Sequence, residues 1–339
     1  MRLAHGWSRR SLCITWIVVF VICLAVLNGY KARILVLHSS RASTPWVQAV
    51  DEGMRHALAL NRRPVALTRM YLDLDSPASQ SLLHQRRAAL HRMIDRVDPD
   101  LIIAVDDEAN ALLSPILRNK PVRILYVSID QTPEAYGYVG LKGVTGSREK
   151  LPLAAISDAL RSLFPARSPS LAVIGLDTPT GRAEMLQVLQ FDWGDAHVKD
   201  TKLVATAQAW RDFVGSTNAD VLVVLSTRAL PERRGTLVAA RDLVAWTQAH
   251  TTALPIGTQV DFVPNGGILS IAPAPAVYGR EAIMDALDWL DLRRTPQAPS
   301  AKANAHFQVG LRLSQLTERG FSLPAVYSEA ARAVGALYP

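Results

Sequence analysis

The sequence predicts an α/β protein of two similar units, each a parallel sheet wrapped by helices. Three observations carry that expectation. Short runs of Val, Ile and Leu alternate with longer stretches of helical periodicity almost to the C-terminus. The rhythm breaks once, at Gly140–Gly146, and then restarts. The length of 339 residues is enough for two units that each bury a core.

In the first half, Arg33–His38 (RILVLH) has the pattern of a buried strand, and Thr44–Leu60 that of an amphipathic helix. Val65–Leu72 is a strand and Ser79–Val97 a helix. Asp100–Val105 (DLIIAV) is a third strand, Asn110–Arg118 a helix and Val122–Ser128 a fourth strand. The second half opens with helix Leu151–Leu163, strand Leu171–Gly175 and helix Gly181–Leu189. Strand Lys202–Ala205, helix Ala209–Val214 and strand Val221–Leu225 follow. Next come helix Leu237–Gln248, strand Pro255–Thr258, the apolar run Gly266–Ile271 and helix Tyr278–Trp289. A polar, Pro-rich loop, Arg293–Lys302, precedes a C-terminal helical hairpin that turns at Gly320. Its apolar face is Leu311, Leu313, Leu316, Phe321, Leu323, Val326, Tyr327 and Ala330. This rhythm gives parallel sheets with helices on both faces. We divide the chain into an N-terminal segment (1–30), a first lobe (31–147 and 266–297) and a second lobe (148–265 and 298–335).

The N-terminal segment contains Leu12–Leu27, sixteen residues in which only Thr15 is weakly polar. Arg9 and Arg10 precede it, and Trp7 and Tyr30 flank it as aromatic residues do at membrane interfaces. Its length lies between a signal-peptide core and a full membrane span. The small-residue positions that cleavage needs are poorly filled: Leu27-Asn28-Gly29 and Tyr30-Lys31-Ala32 each carry a bulky outer residue. We therefore expect an uncleaved anchor in the inner membrane, with the Arg-rich end in the cytoplasm and the rest at its periplasmic face. A cleaved signal would instead leave a soluble periplasmic protein.

The charge balance narrows the partners. The formal net charge is +7, but Arg2, Arg9 and Arg10 all precede the hydrophobic segment; without them 34 basic residues face 30 acidic ones. No Lys/Arg block with interleaved aromatics occurs, so nucleic acid is not an expected partner. The two cysteines, Cys13 and Cys23, both lie in the hydrophobic segment. The remainder has no thiol for a disulfide, a nucleophile or a Cys-based metal site.

Parallel sheets bind ligands beyond the carboxyl ends of their strands. That rule selects His38, Ser39, Ser40 and Trp46 after the first strand, Asp106 and Asp107 after the third, and Ser128 and Asp130 after the fourth. In the second half it selects Asp177 and Thr178, then Ser226 and Thr227, then Gln259 and Asp261. Asp106-Asp107-Glu108 has the composition of a metal or acid–base site, yet a helix cap or ligand contact suits it better. Trp46 reads equally as a stacking platform for a planar ligand or as the buried first turn of its helix. His38-Ser39 does not make a hydrolase pair, because adjacent strand residues point to opposite faces and no G-x-S-x-G accompanies them. Gly140–Gly146 is neither a P-loop nor a dinucleotide fingerprint. No metal site, cofactor or enzymatic turnover is expected.

Several segments together resemble one family. They are ILVLHSS…W…DEGM (Ile34–Met54), PDLIIAVDDEA (Pro99–Ala109), GVTG followed by LFP (Gly143–Gly146, Leu163–Pro165) and LPIGTQVDFVPNGGILSIAP…YGREA (Leu254–Ala282). Leu316–Pro324 followed by Ala330–Val334 completes the series. In this order they resemble the ABC-type solute-binding proteins of the tryptophan/tyrosine-binding group, over nearly all of Arg33–Val334. Arg319 stands where the family usually has Leu, and Val309-Gly310 where it usually has Ile-Asn. The resemblance implies a type I periplasmic binding protein: two Rossmann-like lobes joined by a hinge that close on a small polar or aromatic solute. It also implies an ABC permease as partner. The alternative is a periplasmic sensing module that reports closure to a partner histidine kinase or nucleotide cyclase.

Overall fold

The computed structural model describes residues 13–22, 31–61, 64–74, 79–117, 122–232, 236–291, 302–304 and 306–339. Residues 13–22 form an exposed helix, α1. The rest of Leu12–Leu27, with Arg9, Arg10 and Cys23, lies outside the described residues. Among the described residues no helix is long and apolar enough to cross a membrane.

The first sheet contains β1 (Ala32–His38), β2 (Val65–Tyr71), β3 (Leu101–Val105), β4 (Arg123–Ile129) and β5 (Val144–Glu149). Its helices are α2 (Pro45–Leu60), α3 (Gln80–Val97) and α4 (Asp107–Leu117). The chain then forms α5 (Leu153–Leu163), β6 (Ser170–Leu176), α6 (Pro179–Gln190), β7 (His197–Val204), α7 (Ala207–Ser216) and β8 (Val221–Val224). A small ribbon, β9 (Leu230–Pro231) with β10 (Leu237–Val238), precedes α8 (Ala240–His250), β11 (Leu254–Gly257) and β12 (Leu269–Pro273). The last elements are α9 (Pro275–Trp289), β13 (Lys302–Asn304), β14 (Phe307–Arg312), α10 (Leu313–Glu318), α11 (Ala325–Ala333) and β15 (Leu337–Tyr338).

The first sheet runs β13-β5-β4-β3-β1-β2, with every neighbouring pair parallel. The second runs β15-β14-β12-β11-β8-β6-β7, parallel except where β14 meets β12. Alternate residues of each strand feed cores on opposite faces, as the strand period of two requires. Ile34 and Val36 meet Met54, Tyr278 and Trp289, whereas Leu35 and Leu37 meet Leu90, Ile94 and Leu113. In the second sheet Val173 and Val223 face Ile156, Met185 and Leu316, whereas Ile174 and Leu222 face Trp210 and Leu243.

Several elements differ from the sequence expectation. Leu269–Pro273 pairs with β11 and β14, so the second sheet continues past residue 265 to Pro273. Among the described residues, α9 and β13 then return to the first unit. Val144–Glu149 is a full strand; its sequence, VTGSRE, is too polar to stand out as one. Leu311 lies within strand β14 rather than opening a helix, and Leu313 and Val326 are exposed on the hairpin. The hairpin nevertheless seats Leu316 and Ala331 in the second core. Arg319 fastens it by donating to the carbonyls of Gln248 (2.8 Å) and Ala253 (2.9 Å) at the end of α8.

The α2–α9 contact makes the first unit discontinuous in sequence. The helices touch through two glycines: a Cβ at Gly53 would lie 1.8 Å from the Ala276 carbonyl oxygen, and one at Gly279 1.9 Å from that of Val50. Both obstacles are backbone, so neither can swing aside. Gly279→Ala is therefore expected to cost about 2–3 kcal/mol by overpacking. Urea denaturation of the variant checks this; unchanged stability would mean that the helices do not cross so closely.

Candidate functional site

Because β1, β3, β4 and β5 run parallel, their carboxyl ends share one edge of the first sheet. The ends of β6, β8 and β11 do the same in the second. The two edges line a chamber of about 400 Å3. From the first unit come Ser40, Trp46, Asp106, Asp107, Ser128 and Asp130, and from the second Ser226, Thr227, Gln259 and Asp261. Ten of the residues selected from strand ends thus meet around one cavity.

Two of these positions have backbone in the left-handed region. Asp106 has φ 69° and Ser128 φ 58°, a conformation uncommon for residues other than glycine. Ser128 falls where the β4–β5 register shifts between Tyr126 and Ile129. Such a bulge re-aims a side chain, and the Ser128 hydroxyl here donates to the Glu149 carboxylate. Helix α4 begins at Asp107, earlier than Asn110, so Asp107 and Glu108 occupy its first turn. The Asp107 carboxylate accepts from the Asp130 and Gln131 N–H groups (3.2 and 3.1 Å) and from the Tyr136 hydroxyl. Trp46 is half-buried: it sits in the first turn of α2, 5.9 Å from the Tyr278 ring, and it lines the chamber.

Four selected residues have other surroundings. His38 is fully buried; its Nε2 faces Asp51 Oδ1 at 3.3 Å and its ring stacks on Tyr71. Burial alone would raise the Asp51 pKa, but bonds from His38, Arg69 and Tyr71 override it and hold the carboxyl well below its usual range. Ser39 is buried as well: its hydroxyl donates to the Val105 carbonyl (3.0 Å) and accepts from the Ala109 N–H (2.9 Å), tying β1 to β3 and α4. Thr178 caps α6 by accepting from the Gly181 N–H, and Asp177 pairs with Arg182. Asp177 and Thr178 line a second cavity, described below.

The structure also brings in residues that the strand-end rule did not select. Glu149 follows from the unrecognised strand β5. Glu184 is buried on α6, where its carboxylate accepts from the Ser226 N–H (3.1 Å), the Ser226 hydroxyl (2.6 Å) and the Gln259 amide (2.9 Å). A lone Glu in a helix ordinarily marks a solvated face, so nothing in the sequence singled it out. Arg228, beyond Thr227, reaches across to Glu108 at 3.0 Å.

The chamber is electrostatically unusual. Desolvation raises the pKa values of Asp106, Asp130 and Glu149, and each is raised further by neighbouring carboxylates. Glu149 is pushed up to about 8 by its burial, despite the lowering effect of the Ser128 bond. Burial also raises Asp107 and Glu184, against the hydrogen bonds each accepts. Among the described residues, no group of three His, Cys, Asp or Glu side chains has a geometry that could hold a metal ion.

A carboxyl whose pKa rises on folding stabilises the fold while protonated. For Glu149 that stability is complete below the unfolded value, about 4.3, and is lost as pH rises toward about 8. Glu149→Gln cannot ionise. Its stability relative to the wild type is expected to increase steadily from about pH 5 to pH 8. Urea melts of the two proteins across that range measure the difference; a difference that stays constant would mean that Glu149 is ionised throughout.

No family model matches the chain, and no curated protein matches it. Solved structures do. The ABC domain in complex with L-Trp from Streptococcus pneumonia is similar at 16% identity and TM-score 0.64, over 91% of this chain and 100% of that one. A ligand-free, open substrate binding protein with adhesive properties from Clostridium difficile is similar at 15% identity and TM-score 0.60, over 87% and 96%. An arabinose binding protein from Geobacillus stearothermophilus follows at 13% identity and TM-score 0.56, over 86% and 100%. Identity this low establishes fold and leaves ligand open: the chain has the α/β fold of the type I periplasmic substrate-binding proteins.

Proposed function

We propose that this protein is a solute receptor outside the cytoplasm, one that captures a small molecule between its two units and delivers it to an ABC-type permease. The observation that carries the reading is the chamber itself. Polar side chains from the ends of β1, β3, β4, β5, β8 and β11, on two separate sheets, line one cavity, within the range of small-molecule sites. The chain passes between the units three times, after β5, after β12 and after β13. Three adjacent crossings form a hinge about which the units rotate as rigid bodies. The ion pair Arg228–Glu108 spans the gap and favours the closed arrangement. We read the hydrophobic segment around α1 as a tether that holds the receptor at the inner membrane.

The reading is of a binding protein and not an enzyme. Ser39 gives its hydroxyl to a backbone carbonyl and His38 faces Asp51, so the two do not make a nucleophile–base pair. The similar solved structures are binding proteins as well.

A thermal-shift screen of residues 31–339 against amino acids, amines, aromatic acids, nucleobases and sugars is expected to give a dose-dependent rise in Tm. For the best compound, Trp46→Ala and Asp261→Asn are each expected to weaken binding by about 1–3 kcal/mol in calorimetric titration. Full affinity in both variants would put the ligand elsewhere than this chamber.

A further inference from the structure

The cleft has two chambers, and the Arg228–Glu108 pair is the sill between them. Both residues, with Asp107, Thr180 and Ala229, line the polar chamber of about 400 Å3 and also a second cavity of about 610 Å3. The second cavity is walled by Leu74, Leu83, Tyr136, Leu176, Val204 and Leu230. Polar and apolar halves therefore adjoin within one cleft.

The polar half carries a strong excess of acid. Six carboxyl side chains line it (Asp106, Asp107, Glu108, Asp130, Glu149 and Asp261), against two arginines. Both arginines already have carboxylate partners, Arg41 with Asp73 at 3.2 Å and Arg228 with Glu108. A carboxyl taken out of water stays ionised only where a positive charge or hydrogen-bond donors accompany it; otherwise burial raises its pKa, as it does here. A separate feature points the same way. The Tyr278 hydroxyl, on a residue only 1% exposed, has no hydrogen-bond partner and feels the charges of Glu149 and Asp130. The Tyr278 ring is 5.9 Å from that of Trp46, which lines the chamber. The Trp46 ring beside it offers a π face for a cation.

We propose, building on the solute-receptor reading, that the ligand is an organic cation: an ammonium group on an apolar body. The ammonium lies among Asp106, Asp130 and Glu149, against Trp46. The body passes the sill into the leucine-walled cavity. For an anion, the two lining arginines are already taken by Asp73 and Glu108, and a zwitterion loses at its carboxylate what it gains at its amine. Because the cation favours ionised carboxyls, binding releases protons and strengthens as pH rises from 6 to 8.

Matched probes test this on residues 31–339: phenethylamine, hexylamine, putrescine, L-phenylalanine and 3-phenylpropionate, each followed by thermal shift and calorimetry. Phenethylamine or hexylamine is expected to bind at least tenfold more tightly than L-phenylalanine and putrescine, with no binding of 3-phenylpropionate. Glu149→Gln and Asp130→Asn, which remove a buried charge and keep the side-chain shape, are each expected to weaken the amine at least tenfold. Glu149→Gln also flattens its pH dependence. Preference for L-phenylalanine or 3-phenylpropionate overturns the cationic ligand while leaving the receptor reading intact. Equal binding of putrescine and phenethylamine removes the apolar body from the proposal. Folded protein that responds neither to these probes nor to any compound of the wider screen overturns both readings.

Discussion

Parallel strand pairing is the constraint on which the rest of this molecule depends. A parallel strand cannot be followed by a tight hairpin; its chain must return over a face of the sheet before the next strand begins. Helices therefore cover both faces, and every carboxyl end emerges at the same edge. With two such sheets in one chain, the edges converge and the side chains that follow the strands share one space. Asp106 after β3, Asp130 after β4, Ser226 after β8 and Gln259 after β11 are far apart in sequence, yet this geometry alone assembles them.

The same geometry concentrates charge where solvent is scarce. The protein answers that cost in two ways. Glu184 is fully engaged by the ends of β8 and β11, so its charge serves as a strut within the second unit. Asp107 is similarly engaged within the first, holding the turn that leads out of β4. Asp130 and Glu149 are different: each is buried near other carboxylates, and desolvation by burial raises its pKa above the usual carboxylate value. Fully engaged and sparsely engaged carboxylates therefore lie side by side, and what separates them is the number of backbone and side-chain donors that each receives.

Much of this was legible in the sequence. Buried parallel strands are written as runs such as LIIAV and VLVV, and the residue after each run is fixed by the end of the run. That is why Asp106, Ser226 and Gln259 were identifiable. Strand β5 was not, because VTGSRE lies between β4 and the short β13 and needs little apolar character. Glu149 went unseen with it. Glu184 was hidden for another reason: helical periodicity assigns a charged residue to the solvent side, and only the tertiary arrangement turns it inward. His38 and Ser39 follow the strand-end rule formally. Their side chains are taken up by Asp51 and by the Val105 carbonyl before they reach the cleft. Strand β14 was obscured by Gly310 and by the helical hairpin just beyond it.

The glycine crossing of α2 and α9 has a consequence for how the chain comes into being. Gly53 meets Ala276, and between them lie nearly all the strands of the second unit. A nascent chain that has emerged only as far as β5 has a first sheet with one face uncovered, because Met54 and Val50 await Tyr278 and Ile283. The first unit begun is thus among the last to be completed. Its exposed face must be kept from wrong partners for the whole time that the second unit is being made, and a loop closure of this length is intrinsically slow. Any piece cut at the boundary after β5 inherits the same open face. The two units of this protein are therefore architecturally distinct but are a single object in biogenesis.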